Sequence, residues 1–338
     1  MLLASGCRAG YLVKLAWEEA RFLGSARPAT ELLASAGNPA RRTALEALLE
    51  VREFAGREGL DVGGSYREVA DMSAVEPFQV VTAAWADRLE PYTWWYPVIG
   101  AIPYRGYFDR ESAGRFADGL RTEGLDVRIV EASAYSTLGW FDDPLPSSVL
   151  DRGDGAVVIT VLHELVHQTF FAPGQVAFNE TLATAVAWRL AEKWWAGKGD
   201  TARAARAKAA REAWLVRSDA MDAAASRLRA FFDDARARGL SRDAMLEGRA
   251  AIYAQMLAAL EANDPAFAAE LGGDGGLDNA SFLASWRYAT QGRAIDAFLG
   301  AQPSIRAALE VLKLATARGK DPREVVAPGS VAPPPASR

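Results

Sequence analysis

The chain has 338 residues, 50% hydrophobic and 24% charged, with a formal net charge of −5. That balance fits a soluble globular protein with a large core, built as one compact body or two subdomains. No basic stripe interleaved with aromatics is present, which excludes nucleic acid as an expected partner. No apolar run reaches the length of about 18 residues that a membrane-spanning helix needs.

Cys7 is the only cysteine, so an internal disulfide and a cysteine-based zinc site are both excluded. The opening "MLLASGC" allows two readings. Cys7 is an ordinary small buried residue, or it is the lipid-accepting cysteine of a bacterial lipoprotein, with small residues before it. The basic region and longer apolar segment of such a signal do not precede it.

Residues 8 to 58 carry apolar residues at helical spacing, broken around Asn38-Pro39, and "LDVGGSY" reads as a turn. From Tyr92 the texture becomes β-like. "WWYPVIGAIPY" and "LDVRIVEA" read as strands on either side of a helix, "RESAGRFADGLRTEG", ending at Gly124. That is a β-α-β unit. "YSTLGWFDDPLP" follows as an extended segment ending in turn residues. Beyond residue 154 the pattern is helical: two helices separated by Ala172-Pro173-Gly174-Gln175, a long Ala/Arg-rich helix over 201–238, and further helices at 242–262 and 278–299. The expected fold is α+β and mainly α, with a helical region at 1–92, a β-α-β subdomain at 93–150, and a helical region at 151–321. The Pro/Ala-rich end, 322–338, is expected to be disordered.

Both histidines of the chain, His163 and His167, lie four apart, with Glu164 directly after the first. Positions i and i+4 share one helix face, so the two imidazoles can bind one zinc ion. Glu164 sits one position round the helix, placed to act as general base toward a zinc-held water. This is the HExxH arrangement. Two histidines scattered at random would fall into it on the order of once in 2,000 chains. The competing account is a pair of structural histidines.

A catalytic zinc needs a third protein ligand and an open position for water. With no other histidine and no suitable cysteine, that ligand must be a carboxylate. His167 lies six residues before Pro173, and Glu180 lies six after Gly174. An antiparallel helical hairpin would bring the two opposite each other. The alternative for Glu180 is an acid in the first turn of a helix capped by Asn179, favoured by the helix dipole. Asp151 and Asp154 are weaker ligand candidates.

On these residues the sequence resembles gluzincin metallopeptidases, in which HExxH is followed by NExxA on the next helix, here Asn179 to Ala183. The gap is shorter than in thermolysin-like or alanyl-aminopeptidase-like enzymes. A broader resemblance is to a bacterial family of putative aminopeptidases described as predicted lipoproteins. It rests on "SGCRAGYLVKLA", "PVIGAIPYRGYF", "AYSTLGWFDDPL", "HELVHQTFF", "AFNETLAT" and, more loosely, "DNASFLASWRYATQGRAIDAF". It covers residues 5 to 300. The resemblance implies a zincin-like fold, one zinc ion, a peptide substrate, and a tether to the bacterial cell envelope through lipidated Cys7.

Other residues remain to be placed. The segment 134–144 could be an edge strand to which a peptide adds, or a turn packing Trp140 and Phe141. Asp142 or Asp143 could hold a substrate's free amino group, or simply start the turn at Pro144. A donor for the developing oxyanion is expected from Tyr288, Tyr107 or Arg105, each with a structural alternative. No pattern calls for an obligate protein partner. The expected activity is zinc-dependent hydrolysis at the amino end of peptides. Its rivals are an endopeptidase with the same site and an envelope lipoprotein whose zinc is non-catalytic.

Overall fold

A computed structural model describes residues 21–72, 79–96, 100–107, 109–131, 142–273 and 276–327. Cys7 and residues 134–141 of the expected edge strand at 134–144 lie outside these residues, as does the end of the chain from 328. Contacts divide the chain into two compact units. The first takes residues within 1–80, 106–115 and 129–169, and the second those within 81–105, 116–128 and 170–338. None of the described helices is long and apolar enough to cross a membrane.

In the first unit, α1 (Ala29–Ala34) and α2 (Pro39–Glu58) are the two helical pieces expected around Asn38-Pro39. The Asn38 side chain accepts hydrogen bonds from the Ala40 and Arg41 N–H groups, and Pro39 fills the first helical position, where no N–H is needed. Helix α2 ends at Gly59, whose φ of 98° a glycine tolerates. Its buried stripe of Ala44, Leu45, Leu48, Val51 and Ala55 has helical period. That stripe packs on α5 (Asp154–Thr169), and the short α4 (Ser147–Asp151) joins the same cluster. Helix α5 contributes Val157, Val158, Val161, Leu162, Leu165 and Val166, all fully buried.

The region expected to be helical up to residue 92 also holds strands β1 (Arg27–Pro28), β2 (Glu68–Ala70) and β3 (Gln79–Trp85). Strand β2 pairs antiparallel with β1 and parallel with β8 (Leu145–Pro146), which comes 75 residues later. Strands of two or three residues made by such distant pairing leave no alternating signal in the sequence. The stretch expected as one strand, "WWYPVIGAIPY", holds two: β4 (Trp94–Tyr96) pairs antiparallel with β5 (Gly100–Ile102). The strand that precedes α3 (Arg110–Thr122) is β6 (Arg105–Tyr107), which lies just past the stretch expected as a strand; β7 (Leu125–Glu131) follows that helix within "LDVRIVEA", and β3 lies between β6 and β7 in the sheet.

The second unit is built on α6 (Val176–Gly197), the 37-residue α7 (Thr201–Ala237) and α8 (Arg242–Glu261), packed in succession, with α9 (Pro265–Gly272) on α8. Met221, Ala225, Leu228, Phe232, Tyr253, Leu260 and Phe282 form its core. The expected single helix at 278–299 is two: α10 (Asn279–Trp286) and α11 (Gly292–Ala301), separated by a turn in which Gln291 has a left-handed φ of 57°. Then come α12 (Ile305–Ala317) and α13 (Pro322–Val326). The last, capped by Asp321, gives structure to the start of the segment expected to be disordered.

Asn279 anchors the second unit. It is fully buried; its amide donates to the Trp85 and Arg88 carbonyls and accepts from the Tyr253 hydroxyl. Its backbone N–H donates to Asp126, whose carboxyl burial pushes above the ordinary range despite the neighbouring Arg249. Asn279→Ala should leave several buried groups without partners and lower the unfolding free energy by about 3 kcal/mol. Urea unfolding would measure this, and a change below about 0.5 kcal/mol, the size of an ordinary surface substitution, would show the network to be dispensable.

Candidate metal centre

Helix α5 carries apolar residues on almost every side, and its last two turns present His163 and His167. His167 is 5% exposed, while His163 and Glu164 are partly exposed. The rings meet edge to face, with centroids 4.9 Å apart, and the two Nε2 atoms are 3.2 Å apart. Two vertices of a tetrahedron around zinc, with metal–nitrogen bonds of about 2.0–2.1 Å, are separated by about 3.3 Å. The helix therefore sets the imidazoles at the spacing one cation needs.

Glu180 joins them. Among the described residues, His163, His167 and Glu180 form a group able to hold a metal ion, with one ligand atom from each and all three atoms within 4.8 Å of one another. The donor set of two imidazoles and one carboxylate suits zinc. The three residues fall within one 18-residue stretch of sequence.

Helix α5 packs on α2 in the first unit, and α6 packs on α7 and α11 in the second. Helix α6 starts at Val176, so Asn179 lies inside the helix rather than at its N-cap, and Glu180 lies beyond the first turn. That removes the dipole account of Glu180, since the dipole's effect fades past the first turn. The Asn179 side chain, 2% exposed, clasps the backbone of Ala172 instead. It accepts from the Ala172 N–H and donates to the Ala172 carbonyl, each at 2.9 Å. Phe170 packs edge to face on Phe178, and Gly174 turns the chain at φ 74°. On the other side, the Thr169 hydroxyl accepts from the Asp61 N–H at 2.8 Å and donates to the Leu165 carbonyl, fastening the end of α5.

The remaining candidates are placed as follows. Asp151 is mostly exposed and pairs with Arg41; Asp154 opens α5. Neither belongs to the metal-binding group. Tyr107 is a core residue, 9% exposed. The Arg105 guanidinium lies over the Phe116 ring, 4.8 Å from its centroid. Tyr288 is 43% exposed, on the turn between α10 and α11.

Asp143 is buried, and its backbone is held at both ends: the carbonyl accepts from the Tyr66 N–H and the N–H donates to the Ser65 hydroxyl. Asp142 is exposed, and its carboxylate accepts from the Gly64 N–H at 2.9 Å. With Gly64, Arg67, Glu68 and Asp143 it lines a cavity of about 240 Å³. A Cβ on Gly64 would fall 2.0 Å from an Asp142 oxygen, so the second glycine of "VGGSY" is needed for this approach. The cavity was not legible in the sequence, because its two walls are 78 residues apart.

The Asn179 clasp generates a prediction. Asn179→Ala should leave the Ala172 N–H and carbonyl unsatisfied and weaken zinc binding by about 10-fold or more, as loss of an outer support typically does. Titration of zinc into metal-free protein checks it, and an unchanged affinity would contradict the account of how Glu180 is placed.

No curated protein and no solved structure matches the chain. The model of the family described as "Putative aminopeptidase" matches residues 10–308, which is most of the chain and includes the whole metal-binding group, and the protein belongs to that family.

Proposed function

We propose that the protein is a zinc-dependent metallopeptidase that cleaves residues from the amino end of peptides. The observation that carries this is the convergence of two imidazoles and one carboxylate. Three protein ligands leave a fourth position open, as catalytic zinc sites do and structural sites do not. The family description supports the peptide substrate and the amino-terminal direction of cleavage.

His163, His167 and Glu180 would hold the zinc, which when bound supplies an acidified water and a Lewis acid for a carbonyl oxygen. Glu164 follows His163 on the helix, about 100° round the axis. It takes the proton from the attacking water as the new C–O bond forms, and delivers a proton to the amine as the C–N bond breaks. Water and peptide then account for both products. For the oxyanion donor, Tyr288 is the choice among the three candidates on accessibility alone. It is the most exposed, Tyr107 is buried, and the Arg105 guanidinium is stacked on an aromatic ring. The Asp142 cavity is the candidate for a substrate's ammonium group, with Asp142 and Glu68 offering negative charge.

Two substitutions test the reading. Glu164→Gln should keep its zinc and lose at least about 100-fold in cleavage rate, the contribution expected of a positioned general base. A variant that cuts as fast as the native protein would remove Glu164 from the mechanism. Glu180→Ala should lose zinc affinity by more than about 100-fold, beyond the range of outer-shell changes. Metal content by plasma mass spectrometry reports this, and undiminished zinc would show the third ligand to lie elsewhere. Blocking a peptide's amino group by acetylation should abolish its cleavage; cleavage of the blocked peptide would favour an endopeptidase.

A further inference from the structure

The turn between α10 and α11, residues 287–291, is held by an unusual number of side chains from other helices. Three successive carbonyls each accept from one of them. The Arg287 carbonyl takes the Thr181 hydroxyl at 3.1 Å, the Tyr288 carbonyl takes the Trp214 indole N–H at 2.9 Å, and the Ala289 carbonyl takes the Ser218 hydroxyl at 2.6 Å. The Ser218 oxygen also accepts from the Gly292 N–H at 3.0 Å. The Asp222 carboxylate accepts from the Gln291 N–H at 2.9 Å and from the Trp286 indole at 2.6 Å.

Trp214, Ser218 and Asp222 stand at i, i+4 and i+8 on α7, so they form one ridge along one face of that helix. Ser218 and Thr181 are fully buried and Trp214 is 6% exposed. A Cβ on Gly292 would lie 2.7 Å from the Ser218 oxygen and 2.9 Å from the Trp214 ring, so the backbone is pressed directly onto the ridge. Gln291 is kept in a left-handed conformation that a non-glycine residue seldom adopts, and such a residue persists only where its surroundings over-determine it.

Apolar residues on α7 would leave these backbone groups without partners, so the polar ridge is what allows the turn to be buried. What distinguishes the turn is where it is fastened. Thr181 is the residue after Glu180, and its hydroxyl is shared between the Ala177 carbonyl of its own helix and the Arg287 carbonyl. The residue after Arg287 is Tyr288.

We propose that Thr181 and the α7 ridge of Trp214, Ser218 and Asp222 are positioning residues that lock the 287–291 turn to the Glu180 turn of α6. Glu180 and Tyr288 are thereby held in a fixed relation. The inference rests on Glu180 being a zinc ligand, and it adds a supporting shell that neither the motif nor the family description assigns.

The test is calorimetric titration of zinc into the metal-free full chain, with thermal unfolding measured alongside. Thr181→Val keeps the shape and removes the hydroxyl, and Ser218→Ala releases the turn from the far side. Each should weaken zinc binding about 10-fold, in the range for outer-shell supports. Thr181→Ser, which keeps the hydroxyl, should return affinity to within about twofold of the native value. The double variant should bind no more weakly than either single one, because both act through the same turn. Asp126→Asn, a buried change in the same unit, should lower the unfolding temperature and leave zinc affinity unchanged.

Native-like zinc affinity in both single variants would overturn the proposal while leaving the metallopeptidase reading intact. So would an effect no larger than that of Asp126→Asn at equal loss of thermal stability. A native protein that takes up no zinc would overturn both.

Discussion

Two imidazole nitrogens held 3.2 Å apart on a rigid helix can share one proton or one cation, and each cannot point an N–H at the other. That constraint governs the region around residues 163–180. The α5 backbone fixes the spacing, and the apolar packing of α5 on α2 keeps it from relaxing. A carboxylate whose ligand atom lies within 4.8 Å of theirs would favour a cation there, since it adds a negative donor to two neutral ones.

The supports around this trio follow a common logic. The segments near the three candidate ligands are tied down by polar side chains bonded to backbone. Thr169 joins the end of α5 to Asp61, Asn179 closes the connection onto Ala172, and Thr181 ties α6 to the turn at Arg287. Backbone anchors of this kind fix position without engaging the imidazoles or the carboxylate. Buried and paired, they also avoid the penalty of an unsatisfied polar group.

What the sequence disclosed was local. The spacing of His163, Glu164 and His167 depends only on helical pitch, and Asn38-Pro39 is a helix start whose signals lie within three residues. Glu180 was reached by counting residues from the Pro173-Gly174 break, and its carboxylate belongs to the group that could hold a metal ion. The alternative in which Asn179 caps the second helix does not hold, because Asn179 lies inside α6 and its side-chain bonds run back to Ala172. The break at 287–291 was invisible because Trp214, Ser218 and Asp222 lie about 70 residues upstream, and no local residue signals it except the unlikely Gln291. The cavity at Asp142 and the sheet joining β2 to β8 share that difficulty. Both depend on pairs far apart in the chain, where periodicity carries no information.

The most direct test of the central claim is X-ray absorption at the zinc edge of the metal-loaded protein. The account predicts a four-coordinate shell with two imidazole nitrogens and two oxygens, all at about 2.0–2.2 Å, one oxygen from Glu180 and one exchangeable with solvent. A shell with fewer than two imidazoles, or one closed by four protein ligands, would contradict it.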